Sequence, residues 1–254
     1  RTNAPWYHAG MRLITDIPSC LSRAGGERLT GHCVLITTIA LLAFAATSIA
    51  DDRDDKADAE AGFVSIFNGK DLSGWRYLDG MWTVEGGAIH CTGKAQSRNW
   101  IIWQGGEPGD FELRLRFKWI KGNSGVQVRS DVLDEKKHWV RGYQVEVAQQ
   151  KVMGLWHHSI SPAKYRSTLA LAGEKTRYAP DGTKTIEQRS ADPDRIKAAY
   201  KEGDWNDLTV IADGPRLVQI INGVVFSELV DEDETHSRRK GLIALQDHGK
   251  GCQV

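Results

Sequence analysis

The sequence predicts an all-β protein built as two packed antiparallel sheets, a sandwich or jelly roll. Three observations predict this fold class. Apolar and polar residues alternate with period 2 in many segments from Phe63 onward, turn-forming residues separate these segments, and only 193–201 has a helical pattern. The 26 glycines and nine tryptophans among 254 residues suit a turn-rich β domain. Many short strands with almost no helix need two layers to bury their apolar faces.

The first fifty residues are expected to lie outside this fold. Residues 34–50 form an uncharged apolar run that ends in small residues just before Asp51, with arginines upstream. This arrangement is typical of a secretory signal peptide, whereas a membrane anchor, the alternative, is usually longer. We therefore expect a leader over 1–50, a charged disordered linker over 51–62 and one domain over 63–254. The domain would be exported to the periplasm or the medium, with no stable membrane insertion after cleavage.

The strands can be placed in order along the domain. The clearest is 111–119, in which apolar residues at odd positions alternate with charged ones. Turn sequences at 213–215 and at Asn222-Gly223 predict a three-stranded meander over 207–230, since Asn-Gly favours a type I′ hairpin. Further strands are predicted at 63–67, 82–85, 88–92, 99–103, 125–131, 142–148, 153–158 and 241–247.

Two segments depart from this pattern. Residues 159–204 show little alternation, which predicts a long loop that forms a wall or lid of a binding site. The alternative is a flexible insertion without a function. Residues 251–254 begin another alternating segment, so we expect a closing strand beyond Val254.

Three predicted strands carry amide or ionisable side chains opposite their apolar faces. Strict alternation places on these faces Gln127, Arg129, Gln144, Glu146, Gln246 and His248. A base, a cation and several amides suit a polyol, because planar amides and carboxylates can hydrogen-bond neighbouring hydroxyl groups in pairs. The plain alternative is that the outer faces of a sandwich are polar in any case. The use of Gln, where the strand at 111–119 has Arg and Lys, argues for a site.

Other function classes lack their signatures. Equal numbers of basic and acidic residues, 33 each, give no electrostatic footprint for nucleic acid. The sequence has no P-loop, dinucleotide-binding or nucleophile-elbow motif, and no carboxylate pair of the kind that marks a double-displacement glycosidase. HExxH and CxxC spacings are absent, so a divalent metal ion would need scattered ligands, with His157 and His158 as candidates. Cys91 and Cys252 could form a disulfide or remain two thiols.

An ordered series of motifs covers residues 63–254. It comprises 63–75 (FVSIFNGKDLSGW), 82–87 (WTVEGG), 122–129 (GNSGVQVR), 142–146 (GYQVE), 204–206 (DWN), 221–223 (ING) and 241–249 (GLIALQDHG). This series resembles the DUF1080 family, the 3-keto-disaccharide hydrolase domain. Two features depart from the family pattern. A closing strand is missing, and the family's common GYExQ strand is GYQVE here, with amide and acid exchanged on the same face.

The resemblance implies a concanavalin-like jelly roll and the cleavage of glycosides that a separate sugar 3-dehydrogenase has already oxidised at C3. A ketone at C3 acidifies the C2 proton, so the C1 substituent can leave by β-elimination and water can add to the enone. This chemistry needs a base, an acid and stabilisation of an enolate, and it does not need two flanking carboxylates.

The site hypothesis assigns these tasks to residues. Glu146 or His248 removes the C2 proton, and Arg129 stabilises the enolate oxygen with Gln246 or with a metal ion on His157 or His158. Three further side chains would orient hydroxyl groups: Gln127, Gln144 and Lys164. The rival hypothesis is a non-catalytic carbohydrate-binding concanavalin-like module. The absence of Trp from 159–204 favours a catalytic pocket over a binding surface.

Overall fold

The structure, a computed structural model, describes residues 11–15, 62–158 and 166–254, with only the backbone of His158. The described residues form a sandwich of two large, mainly antiparallel sheets, which confirms the predicted fold class. In chain order the strands are β1 (Arg12–Ile14), β2 (Val64–Ser65), β3 (Trp75–Arg76), β4 (Trp82–Glu85), β5 (Ala88–Cys91), β6 (Asn99–Trp103), β7 (Phe111–Lys118), β8 (Ser124–Asp134), β9 (Trp139–Val147), β10 (Gly154–His158), β11 (Thr168–Leu171), β12 (Glu174–Tyr178), β13 (Lys184–Arg189), β14 (Trp205–Asp213), β15 (Arg216–Ile221), β16 (Val224–Asp231) and β17 (Leu242–Asp247). A 3-10 turn covers Gln150–Val152, and one helix, α1, covers Pro193–Ala199.

Two sheets and a hairpin organise these strands. The eight-stranded sheet has the order β13-β12-β16-β15-β14-β7-β1-β2, the seven-stranded sheet has the order β11-β10-β9-β8-β17-β6-β3, and β4 and β5 pair as a hairpin. The predicted meander is β14–β16, and its second turn has positive φ at Asn222 (49°) and Gly223 (76°), as a type I′ turn requires. Helix α1 begins where the side chain of Asp192 caps Arg195 N at 2.9 Å.

The prediction of a strandless loop over 159–204 is wrong for most of the segment that the structure describes. β11, β12 and β13 lie within it, and β12 joins the eight-stranded sheet through parallel pairing with β16. The edge strand β13 (sequence KTIEQR) is exposed at almost every position. A strand that buries neither face needs no apolar alternation, and for this reason the sequence pattern did not reveal it.

Residues 11–15 belong to the sandwich, although the leader was expected to lie outside it. β1 pairs antiparallel with both β7 and β2, and the side chains of Met11 and Leu13 are buried in the core. The apolar run and the charged linker lie outside the described residues, so signal cleavage and export remain predictions. Of the helices in the part that the structure describes, none is long and apolar enough to cross a membrane.

The core fills the space between the two sheets, and alternation along β8 and β9 supplies one side of it. Val126, Val128, Val145 and Val147 point inward and are almost fully buried. The opposite, outer face of the seven-stranded sheet carries a separate apolar cluster of Trp100, Ile102, Val140 and Ala244. Four of the predicted polar residues continue this outer face: Gln127 of β8, Gln144 and Glu146 of β9, and Gln246 of β17.

Candidate active site

A row of amides and one carboxylate crosses three adjacent strands on the outer face of the seven-stranded sheet. The register pairs Gln127 of β8 with Gln144 of β9, and Gly125 with Glu146. Gln246 of β17 lies beside Gly125, because Leu245 pairs with Val126. The structure therefore brings together Gln127, Gln144, Glu146 and Gln246, as the alternation predicted.

The amides are linked in a hydrogen-bonded chain that ends at the carboxylate. Ser130 Oγ donates to Gln127 Oε1 at 2.9 Å, and Gln127 Nε2 donates to Gln144 Oε1 at 2.7 Å. Gln144 Nε2 then donates to Glu146 Oε2 at 2.6 Å and to Gln246 Oε1 at 3.2 Å. The bonds from Gln127 to Gln144 and from Gln144 to Glu146 run in one direction, so the first polarises the second and strengthens the donation to the carboxylate.

Asn123 completes the support of Glu146, and the site hypothesis had not included it. Its side-chain nitrogen donates to Glu146 Oε1, so each carboxylate oxygen accepts from a neutral amide. Asn123 immediately precedes β8 within the motif at 122–129. Asn123 lies one residue before the strand and two positions from Gly125, so alternation places it on the same face as Gly125. This position in the sequence could have predicted its contact with Glu146.

Burial makes Glu146 an unusual acid. The residue is 5% exposed, and no basic side chain of the described residues forms an ion pair with it. Burial raises the pKa of Glu146 to about 7, although the hydrogen bonds from Asn123 and Gln144 oppose this shift. A carboxylate with this pKa exchanges its proton near neutral pH, as a general base or general acid must.

Glycine and tryptophan shape the surroundings of the row. A Cβ on Gly125 would lie 2.6 Å from Gln144 Cγ, so only glycine lets Gln144 lie across β8 toward Gln246. Trp100 of β6 is fully buried and flanks the row on one side, because it pairs with Gln246. On the other side Trp156 of β10 pairs with Gln144 and is half-buried, with its ring nitrogen bound to Val152 O at 3.0 Å. The row thus lies between two indole rings.

His248 lies at the edge of this arrangement and not within it. It follows directly after β17, its side chain is exposed, and the structure gives no hydrogen bond between it and Glu146. Burial of part of the ring and the charge of Arg98 lower the pKa of His248, so the ring is neutral at pH 7. His248 shares the outer face with Glu146 but is two strands away.

Arg129 lies on the other side of the sheet, so its predicted placement is wrong. Arg129 Nε donates to Gly109 O at 3.0 Å, Nη1 donates to Gly214 O at 2.7 Å, and Nη2 binds Asp110 Oδ1 at 2.8 Å. Gly214 belongs to the turn between β14 and β15, so the guanidinium spans the gap between the two sheets. These contacts connect the two sheets.

A bulge explains why alternation fails at Arg129. Arg129 has φ of 47°, and the register between β8 and β9 shifts between Val128 and Asp131. The neighbouring strands make room with Gly142 and Gly241, since a Cβ on Gly241 would lie 2.6 Å from the carbonyl carbon of Arg129. The bulge reverses the faces of the residues that follow it, such as Ser130 and Val132, relative to strict period 2, until a second register shift between Val132 and Asp134.

The predicted metal ligands do not join the row. The His157 ring lies 5.9 Å from the ring of Tyr143, whose hydroxyl binds Asp231 of the other sheet, so His157 faces inward. The side chain of His158, like the whole of Lys164, lies outside the described residues. Within the described parts of the chain, the grouping of His, Cys, Asp and Glu close enough to share an ion is Cys91, Asp247 and Cys252, on the inner side of the sheet.

A cavity of about 270 Å³ lies between the sheets and is separate from the row. Its walls are mainly apolar and include Trp82, Cys91, Leu115, Phe117 and Val147. Its lining also includes Glu85, His90, Arg116 and Lys118, but none of the side chains of the row. The outer face with Glu146 therefore remains the candidate site, with a titratable group, hydrogen-bond donors and acceptors, and aromatic walls.

The chain was compared with curated proteins, with solved structures and with protein-family models. No curated protein matches the chain. Among solved structures, a proposed glycosyl hydrolase from Parabacteroides distasonis is 19% identical with a TM-score of 0.46, covering 73% of this chain and 87% of that one. The carbohydrate-binding module CBM66 from Bacillus subtilis is 13% identical with a TM-score of 0.43, covering 72% of this chain and 91% of that one. Residues 62–254 match the family described as the 3-keto-alpha-glucoside-1,2-lyase-like domain, as the motif series predicted. The chain therefore belongs to the 3-keto-alpha-glucoside-1,2-lyase-like domain family.

Proposed function

We propose that the protein is an exported enzyme that cleaves 3-keto-glycosides by removing the C2 proton and eliminating the C1 substituent. The observation that carries the proposal is Glu146, a buried carboxylate with a pKa of about 7 in a row of amides. Family membership supports the substrate class. The proposal includes an upstream sugar 3-dehydrogenase, since the reaction needs the ketone at C3.

The first step breaks the C2–H bond. The Glu146 carboxylate takes the proton, and the electron pair of the bond moves into the C3 carbonyl to form an enolate. Asn123 Nδ2 has two hydrogens, of which one goes to Glu146, so the other can donate to a sugar oxygen. The amide of Gln246 lies on the same face and accepts a hydrogen bond from Gln144, which holds Gln144 beside Glu146.

The second step breaks the C1–O bond. The enolate electrons form the C1–C2 double bond, and the aglycone oxygen leaves with the proton that Glu146 had taken. Since Glu146 returns to its carboxylate form, elimination needs no further acid. Addition of water across the enone then gives the 3-keto sugar, so the overall reaction is hydrolysis. His248 is neutral and exposed at the rim, which suits a contact with the aglycone better than proton transfer at C2.

The proposal is tested with a 3-keto-glucoside and the matching unoxidised glucoside. The wild type should cleave only the first, and Glu146→Gln should lower kcat/KM by ~10²–10⁴, the usual contribution of a general base. Glu112→Gln is the matched control, because Glu112 is equally buried at 6% exposed but lies on β7 of the other sheet. Loss of activity in Glu112→Gln alone, or no turnover of the 3-keto substrate by the wild type, would refute the proposal.

A carbohydrate-binding module is the second candidate, and the half-buried Trp156 beside the amides favours it. An exposed indole face and planar amides can hold a sugar without catalysis. Calorimetry with oligosaccharides distinguishes the two. A module would bind them with no turnover of any keto substrate, and Glu146→Gln would bind as well as the wild type.

A further inference from the structure

Two thiols and a carboxylate meet on the inner side of the seven-stranded sheet, away from Glu146. Cys91 ends β5, Asp247 ends β17, and Cys252 lies in the segment after it. Their sulfur and oxygen atoms all lie within 4.8 Å of one another. Each residue is at most 1% exposed.

The cluster joins parts of the chain that are distant in sequence. Cys91 Sγ donates to Cys252 O at 3.2 Å, across 161 residues of sequence. Cys252 Sγ donates to Asn123 O at 3.2 Å, which links the tail to the residue in front of β8. Both cysteines are free thiols in the structure, so the disulfide that the sequence left open is not formed there.

A pair of thiols alone does not explain why the carboxylate of Asp247 is buried beside them. It accepts hydrogen bonds from Gly249 N at 2.8 Å and from Asn99 Nδ2 at 3.3 Å. Among the described residues it has no ion-pair partner, and burial raises its pKa. A buried carboxylate without a cation is costly. A disulfide would connect the two sulfurs and leave this carboxylate as it is, whereas a cation would bind all three groups.

We propose that Cys91, Asp247 and Cys252 bind a thiophilic divalent cation of the Zn²⁺ class. Thiolate and carboxylate are both zinc ligands, and tetrahedral sites place ligand atoms about 2.0–2.3 Å from the ion, a distance that neighbouring atoms within 4.8 Å can meet with small adjustments. A backbone carbonyl would provide the fourth ligand, since Cys252 O lies beside Cys91 Sγ. Cys91 and Val254 also line the cavity between the sheets, which gives the ion a route inward.

The site would act as a structural clip. The ion would connect the segment after β17 to the β4–β5 hairpin. Without the ion, a small number of hydrogen bonds connect them, such as Cys91 N to Val254 O at 3.4 Å. Binding would release the thiol protons, so affinity should rise with pH. The inference does not depend on the proposed enzymatic function.

Zinc titration of the reduced, metal-free full-length protein tests the proposal. We expect one ion per chain, a higher Tm on binding, and a thiolate-to-metal absorption band when Co²⁺ replaces Zn²⁺. Cys91→Ser, Cys252→Ser and Asp247→Asn should each weaken binding by more than ~10-fold, the lower end of what changes to the residues around a metal's ligands cost.

Two controls separate ligands from neighbours. Asp233→Asn removes a carboxylate of equal burial outside the cluster, and Cys20→Ser with Cys33→Ser removes the other two cysteines of the chain; both should bind zinc as the wild type does. Failure of the reduced protein to bind zinc would overturn the proposal. So would a Cys91–Cys252 disulfide in the protein as isolated, or unchanged zinc affinity in Asp247→Asn.

Discussion

Replacing Glu146 by glutamine should change how stability depends on pH. In the folded protein burial raises the pKa of Glu146 from 4.5 to about 7. Between these values the unfolded chain has lost the proton while the folded protein still holds it, so the unfolded state binds fewer protons. The contribution of Glu146 to the free energy of unfolding therefore falls as pH rises from 4.5 to about 7 and is constant above that range.

The size of the effect follows from the same values. The difference between 4.5 and about 7 corresponds to ~3 kcal/mol of lost stability above pH 7. Glutamine does not ionise, but it can accept only one of the two hydrogen bonds from Asn123 and Gln144, which costs ~1 kcal/mol at every pH. The variant should thus be less stable than the wild type at pH 4 and more stable by ~2 kcal/mol at pH 8, with the curves crossing at about pH 5–6.

Urea denaturation followed by tryptophan fluorescence at a series of pH values measures this crossing. Glu112→Gln is the control, because it removes a carboxylate that is buried to a similar extent on the other sheet. Parallel curves for the wild type and Glu146→Gln from about pH 5 to 8 would show that Glu146 titrates like an exposed acid. The argument for Glu146 as a base at neutral pH would then fail.

Three further substitutions test Arg129 and the surroundings of Glu146. Arg129→Ala should cost ~2–4 kcal/mol and lower Tm by about 10 °C, because it removes the buried donor that the carbonyls of Gly109 and Gly214 share. If kcat/KM fell sharply with Tm unchanged, Arg129 would be part of the catalytic machinery. Asn123→Ala removes a hydrogen bond that lowers the pKa of Glu146, so the rising limb of the kcat/KM–pH profile should move to higher pH. If the rising limb did not move, the hydrogen bond from Asn123 would not influence the pKa of Glu146. Gly125→Ala should destabilise the fold by ~1–3 kcal/mol through its clash with Gln144 and also lower activity, and calorimetric or chemical denaturation showing no loss would contradict the close packing.

The sequence predicted the amide row because four of its members obey simple alternation. Gln144 and Glu146 lie on a strand whose two faces differ in polarity. The local sequence was therefore enough to predict the positions of the strands and hairpins around them. Arg129 could not be placed in the same way, since a single residue with φ of 47° reverses the pattern. Such a bulge depends on neighbouring glycines in two other strands, and their proximity is visible only in three dimensions.

Other features depended on packing that no local pattern records. Asn123 supports Glu146 from a turn, and its contact is set by how that turn meets β9. The strands β12 and β13 were missed because their side chains are mostly charged or polar, and because β12 gains its place through parallel pairing with β16, which is distant in sequence. The meander β14–β16 was predicted correctly since its turns carry their own sequence signals.

The first strand has a consequence for how the chain can be processed. β1 occupies a position between β7 and β2, so its removal would leave a gap of about two strand spacings, ~10 Å, in the sheet. Proteolysis at any bond between β1 and β2 would make β1 a separate peptide, whose contacts with the described residues include the ladder hydrogen bonds to β7 and β2 and the buried side chains of Met11 and Leu13. Once that peptide dissociates, β7 presents an unpaired edge that another extended chain can occupy, so a trimmed protein would need a replacement strand to stay monodisperse.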